Sequence, residues 1–278
     1  AEQAFDEARV KAVINEIKGL DSTGSHPAPV PELFGMNFQA VSVGQKLPKA
    51  GPGDEQGLVG GYLDASGSPT NGLAGQLAYV DGALGELIAA LRDNRLADST
   101  LIILASKHGQ SPIDPATFQP LDDDPYTKTP GYAFHIADDA ALIWLKPQDR
   151  TKNLAAAQDY LEKSSKAEGI AQIQTPNALA LAYQDPATDS RTPDFIATVN
   201  PGVVYTSGSK IAEHGGANAN DRNVALLISS PSIEPRSVPA LVQTAQVAPT
   251  ILRALGYDAS ELQAVKLEGT QDLPAIPF

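Results

Sequence analysis

Short apolar runs alternate with amphipathic segments along most of the 278 residues. Residues 99–106 (STLIILAS) and 223–230 (NVALLISS) are continuous apolar runs, which are typical of strands buried on both faces. Residues 72–94 instead place apolar side chains at the i, i+3, i+4 and i+7 spacing of a helix. Strands that alternate with helices predict an α/β fold, with a mainly parallel sheet covered by helices on both faces.

The same two patterns predict the other elements, and we expect one α/β domain over residues 1–278. A proline-rich loop is expected at residues 20–32, and residues 177–184 fit either a helix or a strand. The remaining predictions are helices at 4–18, 154–167 and 243–256, and strands at 34–43, 139–145 and 193–200.

Charge and cysteine content exclude several classes of protein. The net charge is -13, and no cluster of lysine and arginine offsets it, which argues against nucleic acid or an anionic membrane as a partner. The chain has no cysteine, so it forms neither disulfides nor thiolate metal sites.

The composition favours an extracytoplasmic protein, either periplasmic or secreted. Few lysines, no cysteine and many alanine, threonine, glutamine and asparagine residues resemble exported bacterial proteins. No run is long and apolar enough to span a bilayer. From Ala1 the sequence enters an amphipathic helix instead of a signal peptide, which fits a cytoplasmic protein or a processed exported one.

Two histidines, each followed by glycine, lie next to the two apolar runs at 99–106 and 223–230. Lys107 and His108 come directly after the first run, and His214 lies in the loop before the second. Ligands of open α/β sheets bind beyond the carboxyl ends of strands, so we expect the two imidazoles to converge on one site. Imidazole is a common ligand of zinc-like ions, and glycine permits a tight turn. The alternative is a pair of hydrogen-bonded loop histidines, which is how we interpret His26 and His135.

Three segments together resemble the alkaline phosphatase superfamily, particularly its type I phosphodiesterase/nucleotide pyrophosphatase branch. They are DSTLIILASKHGQSP (98–112), AEHGGANANDRNVALLISSP (212–231) and VAPTILRALG (247–256). In that family a helix precedes an apolar strand that ends in Asp-His-Gly, and a second His-Gly precedes a later strand. The resemblance covers roughly residues 60–256 and implies an alkaline phosphatase-like fold. It also implies hydrolysis of phosphoric esters, of the phosphodiester or nucleotide pyrophosphate type.

The resemblance further implies a metal site with one or two divalent ions, usually zinc. In the family, Asp and His hold two ions, which activate a Thr or Ser nucleophile and stabilise the phosphoryl group. Carried over by position, His108 binds one metal and His214 binds the other. The substrate is expected to be a small phosphate or sulfate ester.

Two family ligands are replaced in this chain. Lys107 stands where the family has an Asp ligand, and its ammonium group could contact a phosphate or sulfate oxygen in place of one ion, or form a loop salt bridge. The family's Asp-x-x-Gly-His motif matches either Asp64 with Ser68 or Val41 with Gln45. Asp64 is the best third metal ligand, so we expect weak or partial zinc binding.

The family's nucleophile and first metal-binding Asp lie on an N-terminal strand that does not precede Ala1 in this sequence. We therefore expect this chain to be the C-terminal part of a larger fold, inactive alone, and stable with the missing N-terminal half or through self-association. The rival hypothesis is a degenerate, non-catalytic member of the family that binds an anionic ligand or a protein partner.

Overall fold

The computed structural model describes residues 2–48 and 59–277. The chain forms two compact units. Unit 1 comprises Gln39–Ala78 and His108–Asn223, and unit 2 comprises Glu2–Phe38, Tyr79–Lys107 and Val224–Phe278. That these units fold as the single domain expected from the sequence stays a prediction.

Helices and strands are both well represented in the described part of the chain. The α-helices are α1 (Glu2–Ile17), α2 (Ala40–Lys46), α3 (Asn71–Asp93), α4 (Arg150–Ser164), α5 (Pro176–Leu179), α6 (Ala219–Arg222), α7 (Val247–Ala254) and α8 (Gln263–Glu268). The strands are β1 (Ile102–Ala105), β2 (Gln119–Leu121), β3 (Tyr132–Ala137), β4 (Ala140–Leu145), β5 (Ile170–Gln174), β6 (Phe195–Val199), β7 (Val203–Tyr205) and β8 (Leu226–Ser229). Five short 3-10 helices accompany them, at Ala97–Ser99, Asp124–Lys128, Pro147–Asp149, Thr244–Gln246 and Ala259–Glu261. Within these residues, no helix has both the length and the apolar character needed to cross a membrane.

Unit 1 is organised around a four-stranded sheet in the order β3-β4-β6-β5. Side chains along β6 alternate, with Phe195, Ala197 and Val199 buried and the residues between them partly exposed. Ala157 and Leu161 of α4 belong to the same buried cluster. The alternation therefore places one face of the sheet in the core, as is common in antiparallel sheets.

The expectation of a mainly parallel sheet is wrong for the described strands. Every pairing in the four-stranded sheet is antiparallel, as is the pairing of β1 with β8, and only β2 and β7 run parallel. The reason is local: β3 and β4 are joined by the two residues Asp138 and Asp139, and so short a connection can only reverse the chain. The sequence patterns do not predict β3 and β5, because their mixed polar and apolar residues resemble loops. Without β5, the strands β4 and β6 would be joined by one helix, which is the pattern of a parallel pair.

The strand expected at residues 34–43 is also wrong. Residues 34–39 have no regular secondary structure and 40–46 form α2. Phe34, Met36 and Phe38 are each more buried than the residues between them, so the alternating pattern reports an extended segment. A strand also needs a neighbour for its backbone N–H and C=O groups, and a pattern within one segment carries no information about that neighbour.

Unit 2 contains the β1–β8 pair and the helical segments around it. Its core cluster includes Ile17, Ala90 and Leu91, with Ile102 of β1 packed against them. At the end of β1, however, Leu104 lies opposite Leu227 of β8, and the two side chains are 39% and 57% exposed. The expectation that both apolar runs are buried on both faces is therefore wrong at Leu104 and Leu227.

The alternation on the four-stranded sheet gives a first prediction. Phe195→Ala should lower the free energy of unfolding by about 3–5 kcal/mol, because the side chain is fully buried and leaves a cavity. Phe134→Ala on β3 is the matched control. That side chain is 54% exposed and contacts only the ring of Trp144 among aromatic residues of the described chain, so we expect a loss of about 1 kcal/mol. Urea denaturation measures both, and equal losses would contradict the assignment of the buried face.

Candidate functional site

The imidazole rings of His108 and His214 lie side by side in unit 1. Their ring centroids are 4.2 Å apart, and the ring planes are inclined by 41°. The convergence expected from the sequence is thus confirmed, although the roles of the two rings as metal ligands stay predictions. The other two histidines are engaged elsewhere, His26 with Asp21 and His135 with Asp123.

A hydrogen bond to its own loop fixes the orientation of His108. Nδ1 lies 2.8 Å from the carbonyl oxygen of Gly109. A carbonyl oxygen only accepts hydrogen bonds, so Nδ1 carries a proton and donates it. In the neutral ring the lone pair is then on Nε2, and this arrangement is common for histidines that bind metals through Nε2.

The hairpin turn between β3 and β4 supplies a carboxylate that the sequence patterns did not reveal. One ligand atom from each of Asp138, Glu213 and His214 lies within 4.8 Å of the other two. Asp138 is half-buried, and its pKa is raised by burial and then by the nearby charge of Glu213. A bound cation would relieve both effects. The only other such group in the described part of the chain is the run Asp122–Asp124, which is largely exposed.

Two lysines already neutralise Glu213. Its side chain is 2% exposed and accepts hydrogen bonds from Lys46 Nζ, at 2.7 Å, and from Lys210 Nζ. Burial raises the pKa of Glu213, but the hydrogen bonds from Lys210 and Lys46 outweigh it, and the net shift is downward. Glu213 is therefore ionised, and a metal ion beside it would compete with two ammonium groups. A cation is better accommodated on the side of Asp138 and the imidazoles.

The structure places Lys107 outside unit 1. It is exposed and follows β1 as the last residue of the central segment of unit 2. The lysines that contact Glu213, next to His214, are Lys46 at the end of α2 and Lys210 in the loop before Glu213. The substrate-contacting role expected of Lys107 stays a prediction.

Asp64, the third ligand expected from the sequence, lies in an exposed turn. Its Oδ1 accepts hydrogen bonds from Ser66 N at 2.8 Å, Ser66 Oγ at 2.5 Å and Ser68 N at 3.4 Å. The side chains of Ser66 and Ser68 first, and then their backbone N–H groups, lower the pKa of Asp64. Asp64 belongs to neither ligand group found among the described residues, and its role as a ligand stays a prediction.

The alternative match for the replaced motif, Val41 with Gln45, falls on α2. Gln45 Nε2 donates to the hydroxyl of Tyr62, and the next residue, Lys46, contacts Glu213. In addition, Ile211 N donates to the carbonyl oxygen of Lys46. The end of α2 is therefore fastened to the loop that carries His214.

Gly109 and Gly216 lie so close to the segment around Asp221 that a Cβ atom on either would clash with it. A Cβ atom on Gly109 would lie 2.0 Å from Asn220 O and 2.8 Å from Asp221 Cα. A Cβ atom on Gly216 would lie 2.2 Å from Asp221 Oδ2 and 3.2 Å from Asp139 Cβ. Tight turning, the role expected from the sequence, applies to Gly215, whose φ is +93°.

Asp139 is the second residue of the hairpin turn and is buried. Its Oδ1 has no hydrogen-bond partner among the residues that the structure describes. Its pKa is raised to about 8 by burial first, and then by the charges of Asp221, Glu213 and Asp138. At neutral pH this carboxyl group is therefore mostly protonated in the absence of a bound cation.

Solved structures share the fold of this chain. Murine ectonucleotide pyrophosphatase/phosphodiesterase 5, in an inactive form with AMP, has a TM-score of 0.53 and 15% identity over 71% of this chain and 51% of that chain. The human protein has a TM-score of 0.53 and 16% identity over the same shares. Alkaline phosphatase PafA has a TM-score of 0.53 and 13% identity over 67% of this chain and 41% of that chain. The fold is thus alkaline phosphatase-like, as expected, and the chain matches about half the length of these proteins or less.

Residues 30–221 match the model of the type I phosphodiesterase/nucleotide pyrophosphatase family. The chain belongs to this family, and the assignment made from the three sequence segments is confirmed. A search of the curated proteins gave no match. The family is of the metallo-phosphoesterase type, and the group of Asp138, Glu213 and His214 is compatible with a divalent ion.

The close approach of Gly109 to Asp221 gives a second prediction. Gly109→Ala should lower the free energy of unfolding by more than about 2 kcal/mol, because the atoms that its Cβ would meet belong to the backbone. Gly208→Ala is the control, since its Cβ would meet only Thr206 Oγ1, at an ordinary 3.6 Å. Thermal and urea denaturation compare the two variants, and a Gly109→Ala variant as stable as Gly208→Ala would contradict the packing described.

The raised pKa of Asp139 gives a third prediction, for the metal-free protein. Since this carboxyl has a pKa of about 8 when folded and an ordinary value of 3.8, the unfolded chain releases the proton at lower pH. Between about pH 4 and 8 this group therefore makes folding less favourable as pH rises, by at most about 1.4 kcal/mol per pH unit. Asp139→Asn removes that component, so its stability relative to the wild type should increase with pH across this window. Urea unfolding in chelator at pH 5 and 8 measures the change, and parallel pH profiles would show the prediction to be wrong.

Proposed function

We propose that this chain carries a divalent metal site of a phosphoric-ester hydrolase that acts on phosphodiesters or nucleotide pyrophosphates, with zinc as the metal. The observation that supports this most directly is the convergence of two imidazoles beside a half-buried carboxylate. His108 and His214 are 4.2 Å apart between ring centroids, and Asp138 shares a ligand group with His214.

The donor set fits zinc. His108, His214 and Asp138 offer imidazole nitrogen and carboxylate oxygen, both of which bind zinc. Asp138 and His214 belong to one ligand group, whereas His108 lies beside His214 but outside that group, so it would complete the site of the same ion or hold a second one. When bound, the metal supplies a Lewis acid that polarises a phosphoryl oxygen. The roles expected from the sequence, Asp64 as a further ligand and Lys107 as a substrate contact, stay part of the proposal. So does the expected number of one or two metal ions.

The chain's own lysines favour an anionic substrate at this site. Lys210 is about half exposed, and Lys46 lies beside it on Glu213. Ammonium groups bind phosphate and sulfate oxygens by charge-assisted hydrogen bonds, so they can hold and orient the ester. They also offset the repulsion that a chain of net charge -13 exerts on an anion.

The nucleophile is proposed to come from the part of the family fold that this chain does not span. Ser111, which follows His108 by three residues, is already engaged, because its Oγ donates to Asp221 Oδ1 at 2.8 Å. The proposed partner is accordingly the N-terminal half of the family fold or a second copy of the chain, and the proposed location is periplasmic or secreted.

A second candidate function is binding of an anion without catalysis. The ammonium groups of Lys46 and Lys210 beside Glu213 favour this function, because they supply positive charge that a second metal ion would otherwise provide. In this case the ligand is a phosphate or sulfate ester that is bound but not hydrolysed.

Zinc titration separates these alternatives and gives a fourth prediction. The His108→Ala/His214→Ala double variant should bind zinc at least about tenfold more weakly than the wild type in calorimetry, because two of three ligands are lost. The matched control is His26→Ala, since His26 is exposed and pairs with Asp21. Equal zinc affinities of all three proteins would contradict the metal site. Phosphate binding by a wild type that binds no zinc would favour the second candidate.

Hydrolysis of bis(p-nitrophenyl) phosphate tests the catalytic part of the proposal. The chain alone should be inactive with zinc, and activity should appear when the family's N-terminal half is supplied in the same polypeptide. A joined protein that binds zinc and phosphate but hydrolyses no ester would contradict catalysis.

A further inference from the structure

We propose that Asp221 is the positioning residue that holds the two His-Gly loops together and thereby sets the separation of His108 and His214. The inference rests on the proposed function for its consequence, which is metal affinity. Its structural part concerns only the placement of the two imidazoles, and it can be tested without a metal.

Asp221 fastens the loop after His108 at three points. Its main-chain oxygen accepts from Gly109 N at 2.8 Å, and its Oδ1 accepts from Ser111 N and Ser111 Oγ, each at 2.8 Å. The side chain is buried, so these bonds do not compete with bulk water. Residues 109–111 are therefore fixed relative to Asp221.

Gly109 links Asp221 to the imidazole of His108 by two hydrogen bonds. His108 Nδ1 donates to the carbonyl oxygen of Gly109, the same residue whose N–H is held by Asp221. The orientation of this residue therefore determines where the ring of His108 can form its hydrogen bond. That bond also selects the tautomer, because it keeps the proton on Nδ1.

Asp221 meets the second loop through its other carboxylate oxygen. Oδ2 lies 2.2 Å from the place that a Cβ of Gly216 would occupy, so the backbone two residues after His214 packs directly on it. Oδ2 has no hydrogen-bond partner within the described structure. On the other side of the same loop, Asp139 N donates to the carbonyl oxygen of His214 at 3.4 Å. One carboxylate thus touches both loops. A Cβ atom at residue 109 would meet the backbone of Asn220 and Asp221, and a Cβ atom at residue 216 would meet Oδ2 itself.

The test compares Asp221→Ala with Asp221→Asn and Ser111→Ala. Asp221→Ala removes the acceptor of both bonds from Ser111, and we expect zinc affinity to fall about 10- to 100-fold, as is usual when a group that orients a metal ligand is lost. Asp221→Asn keeps an Oδ1 acceptor and should stay within about threefold of the wild type. Ser111→Ala removes only the Oγ bond and should give a smaller loss, and it serves as the milder variant if Asp221→Ala does not fold.

A buried acid elsewhere in unit 1 provides the control for a loss of stability alone. Asp194 is buried and accepts from Leu145 N at 2.8 Å and from Arg150 Nε, a bonding pattern similar to that of Asp221. Asp194→Ala should destabilise the fold but leave the zinc affinity of the folded protein unchanged. Equal effects of Asp194→Ala and the Asp221 or Ser111 variants on zinc affinity would overturn the proposal.

Nitrogen-15 NMR of the metal-free chain gives the readout that is independent of zinc. In the wild type, His108 should show a protonated Nδ1, and in Asp221→Ala, or in Ser111→Ala if that variant must be used, the shifts should move toward a mixture of tautomers. An unchanged His108 spectrum in the folded variants would overturn the positioning role. If the wild type binds no zinc but its His108 spectrum responds as expected, the proposed function fails and the placement by Asp221 stands.

Discussion

The candidate site depends on the close approach of Asp221 to two glycines. Gly109 and Gly216 lie against its backbone and its carboxylate at distances that leave no room for a Cβ atom. Backbone atoms cannot yield as the tip of a long side chain can, so residue 109 must be glycine for the loops to meet there. At residue 216 a Cβ atom would meet the carboxylate of Asp221, which is buried and held by Ser111. The two imidazoles are adjacent because the loops that carry them share this one contact residue.

The charges of the site are balanced within a small volume. Glu213 is ionised between Lys46 and Lys210, whereas burial and the neighbouring carboxylates raise the pKa of Asp139 to about 8, so Asp139 is mostly protonated at neutral pH. The pKa of Asp138 is raised by burial and then by the charge of Glu213. A divalent ion bound by Asp138 and the imidazoles would replace repulsion between carboxylates with attraction. An anionic ester could then lie against the exposed part of Lys210, which the buried carboxylate holds in place.

Elements with a strong pattern of their own could be predicted from the sequence, and those defined by their neighbours could not. Residues 72–94 were predicted to form a helix and 193–200 a strand, and α3 and β6 lie there, because apolar spacing is a property of one segment. Strand direction depends on the connection, and the short turn at Asp138 and Asp139 joins β4 to β3, a strand that the sequence patterns did not predict. The imidazoles could be predicted from their glycines and adjoining apolar runs. Asp138 could not, since two aspartates before an apolar run indicate only a turn.

The chain belongs to the type I phosphodiesterase/nucleotide pyrophosphatase family and matches about half the length of these solved structures or less. The proposed metal site is therefore the part of the account that can be tested on this chain alone. The most direct measurement is a crystal structure of the chain with zinc, with diffraction recorded on both sides of the zinc absorption edge. Our account predicts an anomalous peak within about 2.0–2.2 Å of ligand atoms of His214 and Asp138, with His108 bound to the same ion or to a second one about 4 Å away. An anomalous map without a peak beside these residues, or with zinc only at an exposed histidine such as His26, would contradict it.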